Sequence, residues 1–520
     1  MPLADAPRTR AGVAAALAGM RAPRAFAMRG VGLLPEAASW TGEHLAAQLA
    51  PLKCHVLCAP SVSSRFTYFW GVGGDTLHSH YEAPPTVTSV GMSFAEFRRS
   101  AKTRRRDRGS GRATAGARTD RSGLDDETML YLQTGLVQRR PSGELSEIAG
   151  LGPEMRALMA RLSSAAGGGG EVDGEVQEPS AGTSAFDDDE PDAGAATPAG
   201  RAALAAAGKV GGSSSSSSSS SVEGCTAALP AEAAAIALIR GMVAEGNLGS
   251  YSRTAFFASS PGAVTRLHYD HYDNIYLQLR GHKRFVVFPP LEARGLYPFP
   301  LHHPLDQRAR VHVDVAEQPL PSPTHAAAFP RLAATRGYEI DLGPGDVLYI
   351  PHHWWHHVET TSGDAAVDSL SLSLNLWFDF EPRLVDPALP LTPGLLLELA
   401  RHVESWLGEA VGEKHIPEFL ESCALELSAC APDPHVRGGD VGGRCAALEE
   451  VRKRADEANE ATLPRGWLVA RNLLFCELAT SFLGWTGLRP FFQDLLYVGR
   501  FRGLVAVEPE MDPNYGSLEP

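Results

Sequence analysis

The sequence contains few cysteines for its length, seven in 520 residues. An odd number in so long a chain argues against a disulfide scaffold and favours a reducing compartment. The cysteines form no paired C-x-x-C motifs, so the sequence does not predict a zinc-finger module.

The chain also lacks a long uninterrupted apolar run and an excess of positive charge. The most apolar stretch, 466–485, contains Arg471, Asn472 and Glu477, which predicts an amphipathic helix and no transmembrane segment. The net charge of −14 argues against a protein that binds nucleic acid.

Two segments interrupt an otherwise globular pattern. Residues 98–122 are rich in Arg and show no apolar periodicity, which predicts a basic disordered loop. Residues 163–230 contain Gly, Ala and acidic runs and the tract Ser213–Ser221, so they have too little apolar content to form a core. We expect this second segment to be disordered as well.

Short strands dominate the rest of the chain as far as Pro393. Residues 275–279 alternate, and a turn at Arg280-Gly281 predicts that 284–288 returns as the second strand of a hairpin. In 370–377, leucines alternate with Ser, Asn and Trp. Many short strands indicate a sandwich or jelly roll, and the helical period that follows Pro393 predicts a helical C-terminal part.

A candidate metal site lies in 264–290. On a strand, His268 and Asp270 share a face, and a second histidine from elsewhere would complete the two-His, one-carboxylate set of non-haem Fe(II) oxygenases. The overlapping pair His271 and Asp273 must face the other way on a regular strand. The distal histidine is expected in 345–360, where the residue pattern leaves four candidates: His352, His353, His356 and His357.

Several separated motifs then resemble one family. They are T-x-x-H-Y-D-x-x-x-N at 265–274, K-R-x-x-x-F-P-P at 283–290, L-Y-P-F-P-L-H-H-P at 296–304 and G-Y-E-I-D-L-G-P-G-D-V-L-Y-I-P-x-x-W-W-H-H-V-E at 337–359. In order and register they closely resemble the JmjC-domain hydroxylases of the factor-inhibiting-HIF type, which are asparaginyl hydroxylases. The resemblance covers most of the chain outside the two low-complexity segments.

The resemblance implies a role for individual residues. It implies that Fe(II) is held by the catalytic residues His268, Asp270 and His356. It implies cosubstrate contacts to 2-oxoglutarate from Lys283, Thr265, Tyr131, Asn274 and Asn375. It implies substrate contacts from Gln133, Gln307, Arg308 and Trp377, although Gln307 and Arg308 stand in the opposite order to the family's pair. Thr265 lies three residues before His268, so we expect the strand to bend between them.

The resemblance also implies a mainly β fold with helices, namely a double-stranded β-helix (a jelly roll of the JmjC/cupin type) with N-terminal elements and a C-terminal helical dimerisation region. The expected boundaries are 1–23 as a tail or short transit peptide, 24–97 and 123–162 as N-terminal parts of the catalytic fold (the second contacting cosubstrate), 231–392 as the core, 393–505 as the helical region and 506–520 as a tail. The stretch 422–464 has no counterpart in the family.

The activity implied is 2-oxoglutarate-, Fe(II)- and O2-dependent asparaginyl β-hydroxylation, with ascorbate as an activator in vitro. The expected substrate is an extended peptide or an ankyrin-repeat protein, and the expected assembly is a homodimer. Two alternatives remain: another JmjC oxygenase (a lysyl demethylase or a different side-chain or RNA hydroxylase), and a non-catalytic cupin-type metal-binding protein. The expected compartment is cytoplasm or nucleus, with organellar import through the Ala- and Arg-rich N-terminus as the alternative.

Overall fold

The computed structural model describes residues 25–32, 34–50, 52–60, 65–66, 87–109, 128–139, 145–147, 151–167, 231–246, 248–303, 305–313, 323–379, 390–429 and 465–501. The predictions for the N-terminal and C-terminal tails, the Ser213–Ser221 tract, residues 110–122 of the basic segment and most of 422–464 lie outside the described residues.

Fourteen strands form two sheets in this part of the chain. The strands are β1 Phe26–Met28, β2 Cys54–Pro60, β3 Arg65–Phe66, β4 Thr88–Met92, β5 Thr128–Arg139, β6 Leu145–Glu147, β7 Tyr251–Ser259, β8 Val264–His268, β9 Asp273–Arg280, β10 His282–Phe288, β11 Tyr338–Leu342, β12 Val347–Ile350, β13 Trp355–Ser362 and β14 Ser371–Phe378. The larger sheet has the order β1-β12-β9-β14-β7-β5-β2-β4, with β6 beside β5. The smaller sheet has the order β11-β10-β13-β8-β3.

Ten helices accompany the two sheets in the described part of the chain. They are α1 Gly42–Gln48, α2 Phe94–Gly109, α3 Pro153–Ala165, α4 Ala231–Gly246, α5 Ala293–Leu296, α6 Pro323–Ala328, α7 Pro393–Val411, α8 Ile416–Ala429, α9 Arg465–Leu478 and α10 Gly484–Asp494. Among the helices that the structure describes, none is both long and apolar enough to cross a membrane.

The alternation in β14 sets the layers. Leu372, Leu374 and Leu376 are fully buried in a core that also contains side chains of α1, α2, α3 and α4, so the N-terminal helices cover the outer face of the larger sheet. The polar residues of β14 therefore face the smaller sheet. A separate core between the two sheets contains Tyr276 of β9 and Phe285 of β10. Two facing sheets, antiparallel except for the β3–β8 pair, confirm the predicted jelly roll.

The predicted hairpin of 275–279 with 284–288 is wrong. β9 pairs with β12 and β14 in the larger sheet, whereas β10 pairs with β11 and β13 in the smaller one. The turn at Gly281 is thus a corner between the sheets. Gly281 has φ +67, and a Cβ there would lie 2.5 Å from the Ser362 carbonyl oxygen, so the corner requires glycine. A hairpin turn and a sheet corner have the same sequence signal, which explains the error.

The predicted basic loop at 98–122 is wrong for its first part, because α2 continues to Gly109. Ser93 and Glu96 form a reciprocal cap at the start of this helix: the Ser93 amide donates to Glu96 Oε2 at 2.8 Å and the Glu96 amide donates to Ser93 Oγ at 3.3 Å. Phe94 and Phe97 are fully buried. These anchors lie upstream of the basic run, so the run itself showed no apolar period. Helix α3 likewise extends to Ala165, past the expected start of the second disordered segment.

The C-terminal helices pack on the smaller sheet. One core joins Leu267 of β8 and Trp355 of β13 to apolar residues of α7, α8, α9 and α10. The helical period predicted after Pro393 is confirmed by α7. The amphipathic helix expected over 466–485 is present, although the segment Ala479–Leu483 adopts a π-helical turn within it.

Candidate metal and cosubstrate site

His268, Asp270 and His356 come together at the open end of the smaller sheet. His268 is the last residue of β8 and lies directly opposite His356 in β13. The two imidazole rings are 4.1 Å apart, and Asp270 follows β8 in the next loop. The ligand atoms of the three side chains all lie within 4.8 Å of one another. Strand pairing brings the two histidines together, whereas Asp270 reaches them from the loop after β8 and not from the strand position that the i, i+2 spacing assumed.

Both histidines present Nε2 to the centre of this group. Nδ1 of His268 is 2.8 Å from the Arg266 carbonyl oxygen, and Nδ1 of His356 is 3.0 Å from that of Trp354. A carbonyl oxygen can only accept, so each Nδ1 carries a proton and Nε2 is the nitrogen left to face the centre of the group. Burial, with the neighbouring His356 and Arg308, lowers the pKa of His268 well below its ordinary value. The imidazole is thus neutral, which is the ligand form.

The distances within the group leave space for a cation. His268 Nε2 is 3.8 Å from Asp270 Oδ1, and His356 Nε2 is 3.6 Å from Asp270 Oδ2. These separations are too long for hydrogen bonds. Two imidazoles around one carboxylate form the donor set of a facial metal triad.

The competing histidines and the second carboxylate are engaged elsewhere. Asp273 accepts from the Tyr349 hydroxyl at 2.8 Å and from the His352 amide at 3.1 Å. His357 Nε2 is 3.0 Å from Glu359. His271 and His353 lie beside Glu398 of α7 and form a separate group. Of the four distal candidates, the structure brings His356 to His268 and Asp270.

Thr265 reaches the interior through an irregularity in β8. His356 pairs with His268 and Val358 pairs with Thr265, so three residue steps on β8 match two on β13. The chain bends there, as expected from the parity conflict. The Tyr131 hydroxyl hydrogen-bonds to the Thr265 side chain. The two predicted cosubstrate contacts therefore lie side by side.

Lys283 is a buried lysine in the interior between the two sheets. It is 1% exposed and has no ion-pair partner among the described residues. Its Nζ lies 3.3 Å from Ser373 Oγ and between 5.6 and 5.9 Å from the ring centres of Tyr131, Phe257 and Tyr276. Burial lowers the pKa of Lys283 to about 7. A buried cation without a counter-charge is costly, so this environment suits an anionic ligand.

Other buried polar atoms of the interior lack hydrogen-bond partners among the described residues. They are Oδ1 of Asn274, Oδ1 of Asn375, Nε1 of Trp377 and Nε2 of Gln133. Buried polar groups in folded proteins are nearly always satisfied, so a cluster of exceptions indicates a ligand or ordered water. Nε2 of Gln133 and Nε1 of Trp377 are donors and, together with Lys283, fit a small dicarboxylate bound next to the triad, whereas the two amide oxygens need a donor such as ordered water.

The residues expected to contact substrate lie at the same end. Arg308 pairs with His268 through an isolated β-bridge, and Gln307 has φ 62 with its carbonyl oxygen accepting from the Tyr269 amide at 3.1 Å. Trp377 lies 4.8 Å below the guanidinium of Arg253, which also covers the Tyr272 ring at 4.8 Å.

Several interior residues had no sequence motif to mark them. Ser373 could have been found from the alternation of β14, since it shares a face with Asn375. Phe257 pairs directly with Ser373 from β7, and Arg253 reaches Trp377 from the same strand. Only the strand register reveals these two.

The sequence is similar to one protein family and to several known proteins. Residues 201–383 match the family described as a cupin-like domain. HSPB1-associated protein 1 of Rattus norvegicus is 29% identical over 213 residues, which span 40% of this chain and 40% of that protein. The human bifunctional peptidase and (3S)-lysyl hydroxylase JMJD7 is 31% identical over 140 residues, 24% of this chain and 41% of that protein.

A solved structure, that of the Escherichia coli ribosomal oxygenase YcfD, is 14% identical over 42% of this chain and 40% of that one, with a TM-score of 0.15. The chain thus spans less than half the length of the relatives it matches. Residues 201–383, which contain His268, Asp270 and His356, are thus similar to a cupin-like domain, and a protein named as a (3S)-lysyl hydroxylase is among the relatives of the chain.

Proposed function

We propose that this protein is an Fe(II)- and 2-oxoglutarate-dependent oxygenase that hydroxylates a protein side chain. The observation that carries the proposal is the placement of two histidines and one carboxylate in the same interior between the sheets as a buried lysine without a counter-charge among the described residues. A cupin that only stores a metal has no need of that lysine.

His268, Asp270 and His356 would hold Fe(II), and Lys283 would hold the distal carboxylate of 2-oxoglutarate with help from Tyr131 and Thr265. Asn274 and Asn375 would meet its metal-side end. Bound together, Fe(II) and 2-oxoglutarate would supply O2-dependent hydroxylation coupled to conversion of the cosubstrate to succinate and CO2.

The protein's own residues position and shield the reactants. The carbonyl groups of Arg266 and Trp354 fix both imidazole tautomers, so the ligand geometry is set before a metal binds. The rings around Lys283 exclude water and strengthen its attraction for a carboxylate. Arg308, Gln307 and Gln133 would hold the target amide, because a buried primary amide needs both a donor and an acceptor.

The proposed target is an asparaginyl β-carbon in an extended peptide or ankyrin-repeat protein, acted on by a homodimer in the cytoplasm or nucleus. This choice rests on the motifs at 265–274 and 337–359. The lysyl hydroxylase relative supports lysine hydroxylation as the second candidate. The name of the rat relative, HSPB1-associated protein 1, supports a protein partner.

The activity is tested by CO2 release from 2-oxoglutarate with Fe(II) and ascorbate. We expect His268→Ala, Asp270→Ala and His356→Ala to abolish release. His282→Ala is the matched control, because this histidine is exposed on β10 and lies in neither histidine group. Release that persists in all three triad variants would contradict the proposal.

The target residue is tested by incubating the enzyme with a consensus ankyrin-repeat protein and mapping a single-oxygen mass gain by fragmentation. Gain on an Asn, reduced in Gln307→Ala, is the expected result. Gain confined to Lys, with CO2 release intact, would select the lysyl hydroxylase alternative and leave the oxygenase proposal in place.

A further inference from the structure

A second group of potential metal ligands lies beside the triad. Among the residues that the structure describes, two groups of His and acidic side chains bring one ligand atom each within 4.8 Å of one another. One is the triad, and the other consists of His271, His353 and Glu398. The three come from the loop after β8, the loop before β13 and helix α7. We call them the α7 cluster.

The atom spacing in the α7 cluster fits one ion. His353 Nε2 hydrogen-bonds to Oε1 of Glu398 at 2.9 Å, a contact that a bound cation would replace, and His271 Nε2 is 3.7 Å from the same oxygen. Tetrahedral zinc with bonds of about 2.0–2.1 Å separates its ligand atoms by about 3.3 Å, between the two observed values. Nε2 of His271 is buried and has no hydrogen-bond partner among the described residues. A bound cation would satisfy this atom, whereas Glu398 is too distant to accept from it.

The surroundings fix the orientation of both rings. His353 is fully buried and has φ 62, and its amide donates to the Asp270 carbonyl oxygen at 2.8 Å. Tyr269 stacks parallel to His271 with ring centres 5.6 Å apart. A Cβ on Gly394 of α7 would lie 2.9 Å from Nδ1 of His353, so the helix packs directly against that ring.

The charges leave Glu398 available as a ligand. Its second oxygen, Oε2, is 3.7 Å from Nε of Arg401, while Oε1 faces the two imidazoles. Arg401 in turn donates to Oδ2 of Asp306 at 2.6 Å. Asp306 therefore balances the guanidinium, and the α7 cluster keeps a net negative charge toward an incoming cation.

We propose that His271, His353 and Glu398 bind a divalent cation of the zinc class, separate from the triad. Two neutral nitrogens and one carboxylate oxygen are a common zinc donor set. His271 is the neighbour of Asp270, and His353 hydrogen-bonds to the Asp270 backbone. The ion would therefore tie α7 to the loop that positions Asp270, which is a positioning role outside the reaction itself.

The test uses the full chain with the triad disabled by His268→Ala/His356→Ala, so that Zn2+ binding reports the α7 cluster alone. Calorimetric titration with Zn2+ is expected to give one equivalent, and Zn2+ is expected to raise the unfolding temperature. Adding Glu398→Gln should weaken Zn2+ binding at least tenfold and remove the temperature shift. His352→Ala, a change at the neighbouring histidine outside both groups, should leave both signals unchanged.

Metal content of the otherwise unaltered chain provides an independent measurement if the triad variant fails to fold. Two equivalents of metal, falling to one in Glu398→Gln, would support the proposal. A folded triad variant that binds no Zn2+, or binds it equally well with Glu398→Gln, would show that the α7 cluster is a hydrogen-bond network only. Neither outcome depends on CO2 release, so it is distinguishable from failure of the proposed function.

Discussion

At the residue scale, Lys283 is a buried lysine, 1% exposed, with no ion-pair partner among the described residues. Burial disfavours its charged form, and a bound carboxylate would restore that form. Aromatic rings surround the Nζ atom of Lys283, and Ser373 is its hydrogen-bond partner among the described residues. A carboxylate can therefore approach Nζ only from the side that the rings leave open. Charge recognition by Lys283 can therefore be separated from metal binding by experiment.

We expect Lys283→Met to weaken 2-oxoglutarate binding by at least about a hundredfold. Breaking a buried pair by removing one partner costs roughly 3–5 kcal/mol, which corresponds to that factor or more. The measurement is cosubstrate affinity by titration of the metal-loaded protein. Ser373→Ala is the comparison variant. It should weaken 2-oxoglutarate binding less than Lys283→Met, because loss of one hydrogen bond costs about 1 kcal/mol. An unchanged affinity in Lys283→Met would remove Lys283 from the cosubstrate site.

The pKa of about 7 for Lys283 also predicts a pH dependence. The protonated form binds the carboxylate, so the pKa rises in the complex and binding takes up a proton. Affinity is expected to be constant below pH 7 and to fall by about tenfold per pH unit above it. Lys283→Met should bind weakly with a flat profile across the same range, and a flat profile in the unaltered protein would contradict this assignment.

At the element scale, the Gly281 corner is the point where the chain passes from one sheet to the other. Gly281→Ala is expected to lower the free energy of unfolding by about 2 kcal/mol or more, because φ +67 is strained for alanine and the new Cβ meets the Ser362 carbonyl. Denaturant unfolding measures the change.

Gly466→Ala is the matched control for Gly281→Ala. A Cβ at Gly466 of α9 meets no atom within 4 Å, and its φ is not in the left-handed region. Alanine is the better helix former, so stability should stay the same or rise slightly. An equal loss in both variants would mean that the corner conformation is not the cause.

The elements differ in how far the sequence could predict them. Alternation located β14 and assigned its two faces correctly, because period two is a local property. The partner of β10 could not be read locally, since Gly281 serves equally well in a hairpin and a corner. The same limit applies to the α7 cluster: His353 and Glu398 are 45 residues apart, and no motif links them. The local sequence pattern thus predicted His268 and four candidate distal histidines. The pairing of β8 with β13 then showed which of these histidines lies opposite His268.

At the scale of the whole molecule, the C-terminal helices expose large apolar side chains. Val469 and Leu473 lie one turn apart on α9 and are 54% and 64% exposed, and Trp485 of α10 is 64% exposed. Isolated exposed leucines are ordinary, but several on two adjoining helices favour a partner surface. A second copy of the chain is the occupant we expect, as predicted from the sequence.

We expect the protein to sediment as a dimer at micromolar concentration and Leu473→Glu to sediment as a monomer. The new carboxylate would be buried without a counter-charge, which destabilises the interface. A two-fold interface contains this carboxylate twice, once from each copy, so the loss is doubled. Leu291→Glu is the control, because Leu291 is 72% exposed on a short turn that is not part of α9 or α10. Monomeric sedimentation of the unaltered chain would exclude the dimer.

The pairing of β1 with β12 has a consequence for synthesis. Phe26–Met28 pair with Val347–Tyr349, more than three hundred residues later in the chain. At typical translation rates that interval takes about 20 to 60 seconds. During that time β12 has not been synthesised, so β1 cannot form its backbone hydrogen bonds and the larger sheet is incomplete. Strand β1 of the nascent chain therefore stays unpaired with β12 during that interval, when chaperones and proteases can reach it.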